Sequence, residues 1–172
     1  MSDARKLQPG SGEVRDGVHW LPLRVYYEDT DVGGIVYYAN YLKFMERGRS
    51  DMLRLVGIDQ MALLAGQLDG EALDGGLMFV VRQCKIDYLK PAYYDDQILV
   101  ATQLEKLAAA TLVMRQEIWR GKDLLATASV TAAVLSRSGR PRRLPSKIRH
   151  ILTAIVSYGP EFDGRDDART QS

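Results

Sequence analysis

The sequence contains a single cysteine, Cys84, and only two histidines, His19 and His150. One cysteine excludes a disulfide within the chain and any metal site built from several thiolates. Two histidines that lie far apart in the sequence do not favour a His-rich metal centre or an imidazole-based acid–base pair. We therefore expect no metal site and no catalysis that depends on a thiol or on zinc.

An excess of charge of one sign and long apolar runs are also missing. The 172 residues carry 23 Lys and Arg against 22 Asp and Glu, so no overall positive field favours nucleic-acid binding. No apolar run approaches the ~20 residues that cross a membrane, and the N-terminus has no apolar signal-peptide core. We expect a cytoplasmic protein with no transmembrane segment and no nucleic-acid partner.

Composition divides the chain into a folded middle and two polar ends. Residues 1–19 and 159–172 are rich in glycine, charge or both, and neither segment has enough apolar side chains to form a core. We predict a single domain over residues 20–158 with a flexible tail on each side. Its pattern is a strand, a long helix and four consecutive strands with short links, which predicts an α+β fold with an antiparallel sheet.

The clearest helix is predicted over residues 40–56. Asn40 is placed to cap the start of this helix. Glycine in the middle of a helix costs about 1 kcal/mol relative to alanine, so Gly48 indicates that the helix passes very close to another backbone. The apolar stripe with helical spacing contains Tyr41, Met45, Gly48 and Met52.

The segment before this helix combines acidic residues with two adjacent glycines. Asp29 and Asp31 precede Gly33 and Gly34, and the loop leads directly to the helix N-terminus, where unbonded N–H groups and the helix dipole are positive. A carbonyl oxygen placed there would be polarised, and Asp31 could attack the carbonyl carbon or activate water. These groups suffice for acyl transfer to water; the structural alternative is an aspartate that only binds loop N–H groups.

Residues 29–41, Asp-Thr-Asp-Val-Gly-Gly-Ile-Val-Tyr-Tyr-Ala-Asn-Tyr, resemble the active-site signature of the 4-hydroxybenzoyl-CoA thioesterase family. Residues 24–53 look most like the branch of Tol–Pal system-associated acyl-CoA thioesterases, and the similarity extends over about residues 21–151. The resemblance implies a hotdog fold, in which an antiparallel β-sheet wraps around one long central α-helix. It also implies a homodimer or homotetramer with active sites at the interface between subunits.

The same resemblance implies an enzyme that hydrolyses acyl-CoA thioesters to the free acid and CoA, without a cofactor. The family's catalytic aspartate corresponds to Asp31, as nucleophile or general base. The backbone N–H that polarises the thioester corresponds to Tyr38, where the Tol–Pal branch usually carries histidine. Asp29 corresponds to a loop-stabilising residue. Gly34 and Tyr41 lie within the signature and are expected to contact the substrate.

Charged residues outside the signature have two interpretations each. Glu46 lies inside the predicted helix as an auxiliary site residue or a surface ion-pair partner. Arg82 reaches the ligand or is an arginine at the sheet edge with its apolar stem on the surface. Arg137 and Arg140 begin a basic run that ends at Arg149; it binds the phosphates of CoA, makes a weak contact with an anionic membrane surface, or is a solvated face. In a regular strand, Arg82 would share one face with Met78, Val80, Cys84, Ile86 and Tyr88.

Other functions fit parts of the sequence. A non-catalytic acyl-CoA-binding or scaffold hotdog protein, associated with the envelope or lipid metabolism, would keep the loop and use its aspartate structurally. A phosphatase of the haloacid dehalogenase type uses Asp-x-Asp after a strand, but the chain lacks the βαβ rhythm of that class. Hotdog dehydratases generally use a histidine, and neither histidine is well placed. The intact loop from Asp31 to Asn40 favours the thioesterase.

Overall fold

The computed structural model describes residues 9–156. Its strands are β1 Glu13–Arg15, β2 Val18–Arg24, β3 Gln67–Leu68, β4 Glu71–Ala72, β5 Met78–Tyr88, β6 Gln97–Leu107, β7 Thr111–Arg120 and β8 Asp123–Leu135. Its helices are α1 Tyr38–Leu55, α2 Gln60–Ala65 and α3 Ser146–Val156. Six strands form one antiparallel sheet in the order β1-β2-β6-β7-β8-β5, and β3 pairs only with β4. The predicted α+β class with an antiparallel sheet is confirmed.

The long helix α1 packs across β2, β6 and β7 and forms the centre of the core. Phe44 and Met45 have no exposed surface, because the sheet covers this side of the helix. The buried positions recur every three or four residues, which is the spacing of one helix face. The predicted stripe is therefore confirmed, and its members Tyr41, Met45, Gly48 and Met52 are all buried.

At Gly48, α1 lies very close to the sheet. A Cβ atom at this position would lie 2.8 Å from Val100 Cγ1 and 2.9 Å from Thr102 Oγ1. Both distances are shorter than ordinary van der Waals contact, so the helix could not sit here with a larger residue. The close approach predicted from the sequence is present, but the neighbours are side chains of β6 rather than a backbone.

A buried polar cluster joins α1 to the sheet beside Gly48. Gln116 of β7 has no exposed surface. Its Nε2 donates to the Met45 carbonyl at 2.9 Å and to Thr102 Oγ1 at 2.8 Å. Its Oε1 accepts a hydrogen bond from Arg49 Nη1 at 2.7 Å. Because buried polar groups without partners are costly, these bonds fix the position of the helix along the sheet as well as its distance from it.

The outer strand β5 carries a bulge that changes which of its residues face α1. Val81 pairs with Ala132 and Gln83 pairs with Thr131, so Arg82 is the extra residue. Residues that pair directly on neighbouring strands point to the same face of a sheet. The β5 residues whose partners on β8 are buried therefore face α1. The expected single alternation along the strand is therefore wrong. The helix-facing residues are Phe79, Val81, Cys84, Ile86 and Tyr88.

The sheet begins earlier in the chain than the sequence indicated. The strand Glu13–Arg15 lies within residues 1–19, which were predicted to be a flexible tail, and the next strand begins at Val18. The expected end of the domain at Tyr158 lies outside the described residues.

Asp51 of α1 holds this N-terminal segment. Its carboxylate accepts hydrogen bonds from Ser11 Oγ at 2.9 Å and from the Gly12 N–H at 2.7 Å, and it lies 2.9 Å from His19 Nε2. His19 and Asp51 are both buried. Burial opposes ionisation of Asp51, but its hydrogen bonds outweigh that effect and lower its pKa. For His19 burial is the larger effect and lowers the pKa despite the nearby carboxylate.

Replacing Gly48 by alanine tests the close approach of the helix. Gly48→Ala adds a methyl group where Val100 and Thr102 leave no room, so we expect a loss of about 1–3 kcal/mol in the free energy of unfolding. Urea denaturation measures the loss. The control Lys43→Ala changes an exposed side chain of the same helix and should stay within about 0.5 kcal/mol of wild type. An unchanged or higher stability of Gly48→Ala would contradict the packing.

The pH dependence of stability tests the burial of His19. Its pKa in the folded protein is below the ordinary value of 6.5, so below that pH the unfolded chain binds more protons than the folded one. The free energy of unfolding should therefore fall as the pH drops from about 7 to 5. Urea denaturation across this range should show a flatter profile for His19→Gln than for wild type. His150→Gln, at an exposed position of α3, should keep the wild-type profile.

Candidate active site at the start of the central helix

The loop that carries Asp31 is the tip of a short hairpin. Thr30 pairs with Val36 as an isolated bridge, and the Asp31 N–H donates to the Ile35 carbonyl at 2.9 Å. Gly34 has a φ of +74°, a left-handed conformation that favours glycine, and its N–H donates to the Asp31 carbonyl at 3.0 Å. The glycine is therefore needed to turn the chain directly after Asp31.

The Asp31 side chain is exposed and has spare capacity to accept hydrogen bonds. Its Oδ1 accepts one bond, from the Gly33 N–H at 2.8 Å. Within residues 9–156 its other oxygen has no hydrogen-bond partner. One bond to the loop backbone orients the carboxylate and leaves Oδ2 available for a reacting group or a water.

Asp29 fastens this loop to α1. It is buried, and its Oδ2 accepts a hydrogen bond from the Tyr26 N–H at 2.8 Å. Its carbonyl accepts two more, from the Tyr37 N–H at 2.9 Å and from Asn40 Nδ2 at 2.8 Å. The helix begins at Tyr38, so the expectation that Asn40 caps the helix is wrong. Asn40 instead lies in the first turn and ties the helix to the loop.

The N-terminus of α1 has no side-chain cap. Tyr37 occupies the cap position and its side chain accepts no hydrogen bond from the helix. The Tyr38 N–H is among the first helical donors, which have no partner inside the helix and lie at the positive end of the dipole. The Tyr38 carbonyl accepts a hydrogen bond from the Tyr88 hydroxyl at 3.1 Å. The first residue of the helix is thus held from β5.

Aromatic side chains surround this helix start. The Tyr41 ring meets the Tyr88 ring edge-on with centroids 5.4 Å apart, and the Tyr88 ring meets that of Tyr38 at 6.3 Å. Tyr41 is buried, its hydroxyl accepts the Ala92 N–H at 2.9 Å, and burial raises its pKa. Tyr38 and Tyr88 are exposed. Tyr41 therefore packs behind the surface, whereas Tyr38 and Tyr88 lie on it.

Glu46 lies two turns beyond Tyr38 on α1. Eight residues correspond to about 12 Å along the helix axis. Glu46 is exposed and its carboxylate accepts a hydrogen bond from the Ser50 hydroxyl. It also lines a cavity between α1 and the sheet. Glu46 therefore lies away from the start of the helix.

The predicted arginines lie away from the loop in a single chain. Arg82 is the exposed bulge residue of β5, outside the helix-facing set. Arg137 and Arg140 lie in the connection between β8 and α3. The Arg137 N–H donates to the carbonyl of Gly75, just before β5, and Arg140 is exposed. Tyr88 is at the opposite end of this 11-residue strand, about 34 Å away at the usual rise per residue. One chain therefore does not bring Arg137 and Arg140 to Asp31.

Two elements of the site were not assigned from the sequence. The first is Tyr88, which the sequence analysis placed only on one face of its strand. The second is the segment after it, in which the Ala92 carbonyl accepts the Val36 N–H at 2.8 Å and Pro91 is held by Arg120. The many tyrosines near the loop indicate an aromatic surface at this point, but the sequence does not show which tyrosine rings contact each other.

The described residues also restrict other interpretations of the surface. Among residues 9–156, none of the helices combines the length and apolar character needed to span a bilayer. In the same part of the chain, no three or more His, Cys, Asp or Glu side chains are grouped so as to hold a metal ion.

The sequence of the chain is similar to those of known proteins. Residues 33–127 match the family model described as the Thioesterase superfamily. The chain is 37% identical over 130 residues to the acyl-CoA thioesterase YbgC of Haemophilus influenzae, which covers 75% of this chain and 90% of the relative. It is 36% identical over 129 residues to the acyl-CoA thioester hydrolase YbgC of Escherichia coli O6:H1, covering 74% and 90%.

A solved structure shows the same architecture. The crystal structure of a probable thioesterase from Bartonella henselae superposes with a TM-score of 0.68 at 41% sequence identity, covering 74% of this chain and 99% of that one. The family match begins inside the glycine loop and extends into β8. The chain therefore belongs to the Thioesterase superfamily and has its hotdog fold.

Proposed function

We propose that this protein is an acyl-CoA thioesterase in which Asp31 and the Tyr38 N–H act on the thioester. One observation carries the proposal: an exposed carboxylate, oriented by a single loop N–H, lies on a hairpin that Asp29 fastens to an uncapped helix N-terminus. The similarity to named acyl-CoA thioesterases supports the substrate class. The reaction is the hydrolysis of an acyl-CoA to the free acid and CoA.

The proposed chemistry uses the two groups in complementary roles. The thioester oxygen accepts a hydrogen bond from the Tyr38 N–H, where the helix dipole stabilises the negative charge that develops on it. Asp31 then either attacks the carbonyl carbon, forming an anhydride and expelling the CoA thiolate, or takes a proton from the water that attacks. In the first route water cleaves the anhydride and restores the carboxylate. A thioester is already activated, so neither route requires a cofactor.

We propose that the active form is a homodimer, or a tetramer of such dimers, joined along β5. This strand is the last in the sheet order and, within residues 9–156, has no neighbour on its outer side. Most of its residues are exposed, including Val80 and Val81. A long exposed edge with apolar side chains favours pairing with another strand. Two copies of β5 related by a two-fold axis would pair antiparallel.

Such pairing would also bring the basic segment to the active site. Antiparallel β5 strands place the Met78 end of one copy beside the Tyr88 end of the other. The connection that contains Arg137 and Arg140 lies next to the Met78 end, because Leu135 pairs with Met78. A second copy would therefore supply its guanidinium groups close to the Tyr38 end of the first. Guanidinium groups suit the phosphates of CoA.

Replacing Asp31 by asparagine tests the catalytic assignment. Asp31→Asn keeps the shape of the side chain but removes the nucleophile and base, so we expect kcat for acyl-CoA hydrolysis to fall about 10²–10⁴-fold. Release of free thiol from a series of acyl-CoAs of graded length measures the rate. The control Asp59→Asn makes the same change at the cap of α2, where asparagine caps equally well, and should leave kcat unchanged.

The same assay separates the proposal from the non-catalytic alternative. Hydrolysis by Asp31→Asn at the wild-type rate would refute the role of Asp31. If the wild-type protein binds acyl-CoAs but releases no thiol from any of them, the protein is an acyl-CoA-binding or scaffold hotdog protein.

Light scattering tests the proposed interface. Wild type should have a mass of at least twice the 19.3 kDa of one chain. Val80→Asp places a charge on the proposed paired edge of each copy; because a charge on a strand edge opposes pairing with another strand, the mass should shift to 19.3 kDa. Val80 is 37% exposed, and the matched control Leu99→Asp changes a residue of the inner strand β6 that is 38% exposed. A monomeric wild type, or equal dissociation by both variants, would contradict pairing through β5.

A further inference from the structure

A strip between α1 and β5 leads away from the proposed catalytic groups. Tyr38 and Arg49 are 11 residues apart, which on an α-helix places them within about 20° of each other on one face. The Tyr88 hydroxyl of β5 bonds to the Tyr38 carbonyl, and Val81, on the same strand face as Tyr88, lines one cavity together with Arg49. The helix and the strand are therefore neighbours both at Tyr38 and at Arg49.

The strip ends at a mostly apolar cavity of about 150 Å³. Phe79 and Val81 of β5, Leu112 and Met114 of β7 and Met52 of α1 contribute apolar side chains to its lining. If each methylene takes roughly the 30 Å³ of a water molecule, the cavity holds about five of them. It is therefore suited to part of an aliphatic chain.

Arg49 is a charged group at the wall of this cavity. Its side chain is half-buried, and burial lowers its pKa. Within residues 9–156 one of its five N–H donors is used, by Gln116 Oε1, and no carboxylate lies within ion-pair distance. A cation that is partly withdrawn from water is stabilised by pairing with an anion. The unpaired guanidinium beside an apolar cavity is complementary to a chain that ends in a carboxylate.

Glu46 does not fill this role. Its carboxylate is near enough to favour the charged form of Arg49, but it is exposed and bound by the Ser50 hydroxyl. Water screens an exposed carboxylate, so it repels an incoming anion much less than Arg49 attracts it.

We propose that the strip binds the acyl chain of the substrate and that Arg49 pairs with a carboxylate at the far end of that chain. This inference rests on the proposed function and names its substrate class: CoA thioesters of linear dicarboxylic acids. Tyr38 and Arg49 are about 16 Å apart along the axis, and an arginine side chain leans several ångströms toward the helix N-terminus. The remaining distance of roughly 10 Å corresponds to an acid of about eight carbons.

Two substrates of equal length test the inference. Suberyl-CoA and octanoyl-CoA both carry eight-carbon acyl groups and differ at the far end, where one has a carboxylate and the other a methyl group. We expect wild type to favour suberyl-CoA in kcat/KM by at least about tenfold, the effect of one hydrogen bond to a charged group. Arg49→Met removes the charge and keeps the apolar stem. It should lower kcat/KM for suberyl-CoA about 10–100-fold and that for octanoyl-CoA less than about threefold.

Two further variants make the comparison specific. Arg47→Met removes an exposed guanidinium that lies over the Phe44 ring on the same helix, and it should leave both substrates unaffected. Arg49→Lys keeps the charge without the planar fork and should retain part of the preference for suberyl-CoA. An equal loss on both substrates in Arg49→Met, or no preference for suberyl-CoA in wild type, would overturn the proposal and leave the thioesterase assignment standing.

Binding separates this proposal from the proposed function if no hydrolysis occurs. Absence of thiol release from these two substrates and from every member of the graded acyl-CoA series would refute the thioesterase activity itself. Calorimetry with suberyl-CoA and octanoyl-CoA then tests Arg49 directly. Tighter binding of suberyl-CoA to wild type, lost in Arg49→Met, would support the carboxylate site; equal affinities would refute it.

Discussion

The contact of α1 with the sheet at Gly48 is the constraint on which the rest of the structure depends. With no side chain at this position, Val100 and Thr102 approach the helix more closely than a Cβ atom would allow. Gln116 can then bond to the Met45 carbonyl and to Arg49, so one polar side chain sets the position of the helix along its axis. This contact helps to set the position of every functional group on α1, from its N-terminus to Arg49.

The helix position matters because the proposed catalytic groups come from two segments. The Tyr38 N–H belongs to α1, whereas Asp31 belongs to the hairpin that precedes it. Asp29 joins them: its carbonyl accepts hydrogen bonds from the Tyr37 N–H and Asn40 Nδ2. Such preorganised donors are effective in catalysis because they need no rearrangement when charge develops on the substrate. The helix therefore fixes the orientation of the loop, and the sheet fixes the position of the helix.

The outer strand β5 has a different status from the other long strands. It contributes Tyr88 to the helix start and the apolar residues that face α1, yet no strand of the described part of the chain pairs with its outer edge. The basic connection near Arg137 lies at one end of this strand and the proposed catalytic groups lie at the other. A single chain therefore separates charges that one CoA molecule would use together, which is the physical reason to propose a two-fold assembly.

Local pattern was sufficient for the class of fold, the central helix with its buried stripe and the loop of Asp31, because spacing and glycine placement are properties of neighbouring residues. It could not determine contacts between distant segments. One extra residue, Arg82, changes which residues of β5 face α1, and nothing in the local sequence pattern predicts it. The carboxylate of Asp51 meets His19, and the side chain of Asn40 meets Asp29 rather than capping a helix. These pairings were decided by the tertiary structure, since they exist only once α1 has packed against the sheet and buried polar groups have had to find partners.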